Sequence, residues 1–132
     1  MGCLLGFDYG TAKIGIAVGQ PLTATATPLT TLRMVHQKPD WVAISRLIEE
    51  WRPDELVVGL PTRIDGGDAQ TADLARRFAR QLEGRYRLPV HMIDERLTSM
   101  EARRHFDKPP KKIEELDAVA AKLILETWLS EQ

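Results

Sequence analysis

The chain has 132 residues and a formal net charge of −1, with 43% hydrophobic and 28% charged residues. These values suit one globular domain over residues 1–132 and leave no room for a second domain of full size. The near-neutral charge gives no general reason to expect a polyanionic partner. The single cysteine, Cys3, excludes an internal disulfide and a thiolate zinc cluster. No apolar run approaches the ~20 residues of a membrane span and no secretory leader is evident, so we expect a soluble cytoplasmic protein.

The first part of the sequence predicts a β-hairpin, a third strand and a helix. Two short apolar segments interleaved with glycines, 3–10 and 13–20, are typical of strands joined by a tight turn. The threonine-rich stretch that follows predicts a more exposed strand over 26–32. Beyond it, Asp40 stands at an N-cap position, apolar residues recur at helical spacing, and Pro53 marks the end of the helix.

The second part alternates strands and helices. The predicted elements are a strand at 55–61, a helix at 69–84, a strand at 88–95, a short helix at 97–106, a charged loop at 107–112 and an amphipathic helix at 113–129. A three-stranded antiparallel meander followed by this alternation implies an α/β fold. Two parallel strands extend the meander into a mixed five-stranded sheet, and helices flank it.

Three carboxylates stand where apolar residues are expected. Asp8 stands near the carboxyl end of a strand whose preceding residues are apolar on both faces, and Glu95 stands at the carboxyl end of the last predicted strand. Asp117 falls on the apolar side of the last helix, about 40° from Ala121 by helical geometry. Ligands of open α/β sheets bind at the carboxyl ends of the strands. The three carboxylates therefore converge if the two strands share a sheet and the helix packs beside it.

Converging carboxylates repel and raise one another's pKa unless a cation lies between them. Oxygen-only ligands favour Mg²⁺ or Mn²⁺, and a pair of such ions suits phosphodiester hydrolysis. This pattern indicates a metal-dependent nuclease. Each carboxylate also has a simpler interpretation: Asp8 caps a turn, Glu95 pairs with Arg96 or Arg103, and Asp117 lies at the positive end of a helix dipole.

Four motifs extend, in order, over nearly the whole chain. They are FDYGTAKIGIAVG at 7–19, LVVGLPTRIDG at 56–66, VHMIDERLTSMEA at 90–102 and LDAVAAKLILETWL at 116–129. Together they resemble the YqgF/RuvX family, relatives of the Holliday-junction resolvases with a ribonuclease H-like fold. The resemblance implies a single nuclease domain that matures the 5′ end of pre-16S ribosomal RNA or, alternatively, resolves Holliday junctions. It also implies catalytic and metal-binding roles for Asp8, Glu95 and Asp117.

The resemblance further implies cationic residues that bind nucleic acid near these carboxylates. Lys13 stands where family members often have arginine, so the charge is kept but a two-pronged phosphate contact is lost. Arg63 and Arg96 are candidates, with a strand-exit turn and an internal salt bridge as close alternatives. The expected phosphate contacts around the charged loop are Arg103, Arg104, Lys108, Lys111 and Lys112. For the arginines of the long helix, Arg76, Arg77 and Arg80, we expect a solvated helix face, with contact to nucleic acid as the alternative.

Two other classes of protein fit part of the sequence. The first motif also resembles the phosphate-binding hairpin of actin-like ATPases and sugar kinases, which need two such domains to enclose a nucleotide. A nucleic-acid-binding module with weak or no catalysis is the other alternative, although the three retained carboxylates argue against it. The expected partner is nucleic acid, either pre-rRNA or branched DNA, and not a membrane. Both a monomer and a homodimer are open, since junction cleavage favours a symmetric dimer and RNA trimming does not.

Overall fold

A computed structural model describes residues 2–10, 12–60, 69–94 and 113–131 of the chain, without the side chains of residues 60, 69–71, 94 and 113–117. The strands are β1 (Leu4–Tyr9), β2 (Lys13–Gln20), β3 (Thr25–Arg33), β4 (Glu55–Leu60) and β5 (Val90–Asp94). The helices are α1 (Trp41–Trp51), α2 (Ala69–Tyr86) and α3 (Ile113–Ser130). The helix predicted at 97–106 and the loop predicted at 107–112 lie outside the described residues.

The five strands form one mixed sheet in the order β3-β2-β1-β4-β5. β2 pairs antiparallel with both β1 and β3, whereas β4 is parallel to both β1 and β5. This topology confirms the predicted meander extended by two parallel strands. β3 is longer than predicted at both ends, and it is more exposed than its neighbours, as expected. The β2–β3 register shifts between Ile16 and Ala17, so that Leu29 is an extra residue of β3 next to Pro28. Proline is tolerated at such an irregularity and in an edge strand.

Each face of the sheet has its own hydrophobic core, because side chains alternate along the strands. On one face, Phe7 and Val58 pack with Ile44 of α1 and Phe78 of α2. We call this the α1/α2 face. On the other face, which we call the α3 face, strand residues pack against α3. The strand residues are Leu4, Ala17 and Val57, and the helix residues are Ala121, Ile124 and Leu125. β1 is therefore buried on both sides, as its continuous apolar sequence predicted.

α3 lies very close to the sheet at the two glycines that face it. A Cβ atom added to Gly6 would lie 2.9 Å from Leu125 Cδ1, and one added to Gly19 would lie 3.3 Å from the same atom. Leu125 is fully buried. Glycine at these positions allows the close approach of helix and sheet. Within the described ranges, no helix is long and apolar enough to cross a membrane.

Candidate active site at the carboxyl edge of the sheet

Asp8 lies near the carboxyl end of the central strand β1 and is half-buried. It is four residues after Leu4, which belongs to the core of the α3 face. Residues an even number apart in a strand share a face, so Asp8 lies on the α3 face as well. Its carboxylate is therefore at the edge where the first strand ends, on the side of the sheet that α3 covers.

Glycines surround Asp8 within the sheet. Asp8 pairs with Gly15 of β2 on one side and with Gly59 of β4 on the other. Gly6 precedes it by two residues and lies on the same face. Gly15 and Gly59 thus place no side chain of their own beside the carboxylate, whereas the space over Gly6 is filled by Leu125 of α3. The sequence pattern did not reveal that Gly15 and Gly59 flank Asp8.

The carboxyl ends of β1, β4 and β5 meet at this edge. In the sheet register, Gly59 pairs with both Asp8 and Ile93, and Leu60 pairs with Asp94, the last residue of β5. Two strand spacings separate β1 from β5, which is about 10 Å. The prediction that the two acid-bearing strands share a sheet and an edge is confirmed. Glu95, the next residue along the chain, lies outside the described residues, so its place in the site stays a prediction.

The helix that contains Asp117 has the predicted phase. Ala121, Ile124 and Leu125 are all fully buried on the sheet. Helical geometry places Asp117 within about 40° of Ala121 and Ile124. Residue 117 lies within α3, but its side chain is outside the described atoms. Convergence of the Asp117 carboxylate with Asp8 therefore remains a prediction, supported by the phase of the turns that follow.

A pair of cations borders the same edge. Lys13 begins β2 and lies two residues before Gly15, the partner of Asp8, so it shares the α3 face. Its cross-strand partner is Arg33, the last residue of β3. Such partners have Cβ atoms ~5 Å apart. Arg33 was not expected from the sequence, because its place opposite Lys13 depends on the β2–β3 register.

The other cations predicted to bind nucleic acid lie outside the described residues: Arg63, Arg96, Arg103, Arg104, Lys108, Lys111 and Lys112. Among the residues that the structure does describe, no three His, Cys, Asp or Glu side chains are grouped so as to hold a metal ion. Of the predicted metal ligands, Asp8 alone has its side chain in that part of the chain. The joint role of Asp8, Glu95 and Asp117 as metal ligands therefore stays a prediction.

The sheet order, the parallel and antiparallel pairings and the flanking helices define a ribonuclease H-like α/β fold. Thermus thermophilus RuvC in complex with a Holliday junction substrate matches 94% of this chain and 92% of its own at a TM-score of 0.53 and 16% identity. A fowlpox virus resolvase in complex with Holliday junction DNA matches 98% of this chain and 97% of its own at a TM-score of 0.60 and 9% identity. At such low sequence identities, the similarity to these two structures shows a shared fold only.

Sequence comparison gives the family. The family model described as "RuvX: Holliday junction resolvase" matches residues 2–131. An Azotobacter vinelandii protein named "Putative pre-16S rRNA nuclease" is 47% identical over 98% of this chain and 94% of its own length. The chain belongs to the RuvX Holliday junction resolvase family, as the four motifs indicated.

Proposed function

We propose that the chain is a metal-dependent nuclease that hydrolyses phosphodiester bonds at the carboxyl edge of its sheet. The observation that carries this proposal is the surroundings of Asp8. A half-buried carboxylate is flanked in the sheet by Gly15 and Gly59, and two cations, Lys13 and Arg33, lie on the same face. A carboxylate that can bind a metal ion thus lies near two cationic side chains that can bind phosphate.

The residues fit Mg²⁺ or Mn²⁺, and Asp8, Glu95 and Asp117 would hold the ion or ions. Carboxylate oxygens are the ligands these ions prefer, and Gly15 and Gly59, the cross-strand partners of Asp8, place no side chain of their own next to it. When bound, such ions activate water and neutralise the negative charge that develops during phosphodiester hydrolysis. Lys13 and Arg33 would bind phosphate groups of the substrate and hold the scissile bond near the carboxylates.

The substrate we propose is the 5′ end of pre-16S ribosomal RNA in the cytoplasm. Support comes from the name of the Azotobacter vinelandii relative, which shares nearly half of its residues with this chain. The second candidate is a four-way DNA junction, supported by the family description and by the junction complexes of the similar folds. We propose one ribonuclease H-like domain over 1–132, acting on RNA as a monomer or on junctions as a symmetric homodimer.

Cleavage of the two substrates tests the proposal. The protein is incubated with end-labelled pre-16S leader RNA or a labelled four-way DNA junction, in Mn²⁺, in Mg²⁺ or with a chelator. The wild type should cleave one substrate, and only with a metal. The variant Asp8→Asn/Glu95→Gln/Asp117→Asn should leave it intact.

A matched control removes three exposed carboxylates from the opposite end of the sheet: Glu49→Gln/Glu50→Gln/Asp54→Asn. This variant loses the same negative charge, yet it should cleave like the wild type. If the wild type and both variants leave both substrates equally intact, the nuclease proposal fails. Preference for RNA over the junction supports the pre-16S assignment, and the reverse preference supports the resolvase.

A further inference from the structure

A groove of about 350 Å³ lies on the α1/α2 face, opposite to the face that carries Asp8. It runs between α2 and the segment that leads into α1. Its lining residues are Tyr9, Gln37, Lys38, Pro39, Trp41, Leu74, Arg77, Gln81 and Arg85. Three of these side chains are cationic and none is acidic, so the groove favours an anionic ligand even though the chain as a whole is close to neutral.

The cations have a regular arrangement along α2. Arg77, Gln81 and Arg85 follow one another at intervals of four residues, so they lie on one side of the helix. Arg77 and Arg85 are about 12 Å apart along the helix axis at 1.5 Å per residue. Lys38 contributes a third charge from the turn before α1. This spacing spans about three nucleotides at the ~3.4 Å rise of a stacked strand.

Aromatic rings form a fixed platform next to these charges. Trp41 stacks on Phe78 with ring centroids 5.6 Å apart and an interplanar angle of 28°. The Arg85 guanidinium lies 4.1 Å from the centre of the Trp41 ring system. Phe78 is almost fully buried, which holds the indole in place. Nucleic-acid bases stack on guanidinium planes, so the Arg85 guanidinium, which lies over the Trp41 ring, is suited to a base.

The groove opens at the same edge of the sheet as the candidate active site. Tyr9, which lines it, directly follows Asp8 in β1, and consecutive strand residues point to opposite faces. A nucleic-acid strand that passes over the edge of the sheet at Asp8 can continue into this groove.

We propose that this groove binds a single-stranded segment of nucleic acid adjacent to the bond that is cleaved. Lys38 and Arg77 bind its phosphates, and Trp41 with Arg85 holds one of its bases. The inference rests on the proposed function in so far as it takes nucleic acid to be the substrate. It adds a binding site on the second face of the sheet and, for Arg77, favours the alternative of nucleic-acid contact over a solvated helix face.

Binding of a short fluorescein-labelled single-stranded RNA, measured by anisotropy with a chelator present, tests the groove without cleavage. The variant Lys38→Ala/Arg77→Ala should raise Kd at least about tenfold, a loss of ~1.4 kcal/mol. Losing two phosphate contacts should also reduce the slope of log Kd against log salt by about 1.4, at ~0.7 per contact for single strands. Trp41→Leu should raise Kd while leaving the salt slope unchanged, because stacking releases no counterions.

The matched control is Arg46→Ala/Arg80→Ala, which removes two exposed arginines that do not line the groove. Its Kd and salt slope should stay close to those of the wild type. Circular dichroism and thermal denaturation establish that each variant is folded. Arg77→Lys keeps the charge and should retain the salt slope, which a merely structural role of Arg77 does not require.

The result separates this inference from the nuclease proposal. If the groove and control variants bind the RNA equally well, the groove inference is overturned, whether or not the wild type cleaves. If the groove variants alone lose affinity, the inference stands, even when the wild type cleaves neither substrate. A mononucleotide that displaces the RNA at the affinity of the RNA itself would also overturn it, because the groove would then recognise a small ligand.

Discussion

Gly6 and Gly84 show two different uses of the same residue. Gly6 is covered by Leu125 of α3, whereas nothing lies within 4 Å of a Cβ atom added to Gly84 in α2. Gly6→Ala should therefore lower the free energy of unfolding by about 1–3 kcal/mol through overpacking. Gly84→Ala should raise it by about 1 kcal/mol, because alanine favours the helix. Urea denaturation of the two variants and the wild type measures both effects.

A double variant identifies the cause of the Gly6 effect. Leu125→Ala alone should cost about 2–5 kcal/mol, since Leu125 is fully buried. In Gly6→Ala/Leu125→Ala the new methyl group has room, so the two losses should sum to more than the loss of the double variant. Strict additivity would show that Gly6→Ala acts through something other than contact with Leu125.

Cys3 should make stability depend on pH in the alkaline range. Burial, reinforced by the negative charge of Asp54, raises the pKa of the thiol above its ordinary value of 9.0. The thiol also donates a hydrogen bond to the Trp51 carbonyl oxygen at 3.2 Å. Because the unfolded chain loses this proton first, the stabilisation is present below about pH 9 and is lost as pH rises towards the folded-state pKa.

Comparison with Cys3→Ala isolates this effect. Above pH 9 the free energy of unfolding of the wild type should fall more steeply than that of the variant, when both are measured by urea denaturation. Tyr9, whose pKa is also raised, contributes equally to both proteins and cancels. Parallel curves would contradict the assignment to Cys3.

At the scale of whole elements, the start of α1 positions part of the groove. Asp40 Oδ1 accepts a hydrogen bond of 3.1 Å from the backbone N–H of Ala43, as its N-cap position predicted. Asp40→Ala should cost about 0.5–2 kcal/mol of stability, and Asp40→Ser should cost much less because its hydroxyl can cap the helix. Thermal denaturation of the two variants measures the difference. Equal losses would show that the carboxylate acts by charge and not as a cap.

Elements were predictable where local pattern decides them. Alternating and continuous apolar runs identified all five strands, and helical spacing identified α1, α2 and α3 to within two residues at each end. Which residues of different elements face one another was harder to predict from the sequence. That glycines flank Asp8 and that Arg33 faces Lys13 both follow from register, which a single sequence specifies only weakly. The spacing of Arg77, Gln81 and Arg85 was visible, but the turn that places Lys38 opposite them was not.

At the scale of the whole molecule, a net charge of −1 conceals a local separation of charge. Cations line the groove on one face, and Lys13 with Arg33 borders Asp8 on the other. Both sets lie at the end of the sheet where β1 ends. Neutral totals of this kind are compatible with binding a polyanion, because affinity depends on the charges that contact phosphate. Bulk composition therefore did not reveal the partner that we propose.

The most direct test of the central proposal is the single-turnover cleavage rate of Asp8→Asn in saturating Mn²⁺, on whichever substrate the wild type cleaves. The matched variant is Asp54→Asn, an exposed carboxylate just before β4 at the other end of the sheet. We expect Asp8→Asn to lose about 10²-fold or more in rate, the scale of removing one group that stabilises transition-state charge. Asp54→Asn should stay within about twofold of the wild type. An Asp8→Asn rate equal to that of the wild type would contradict the assignment of the active site to this edge.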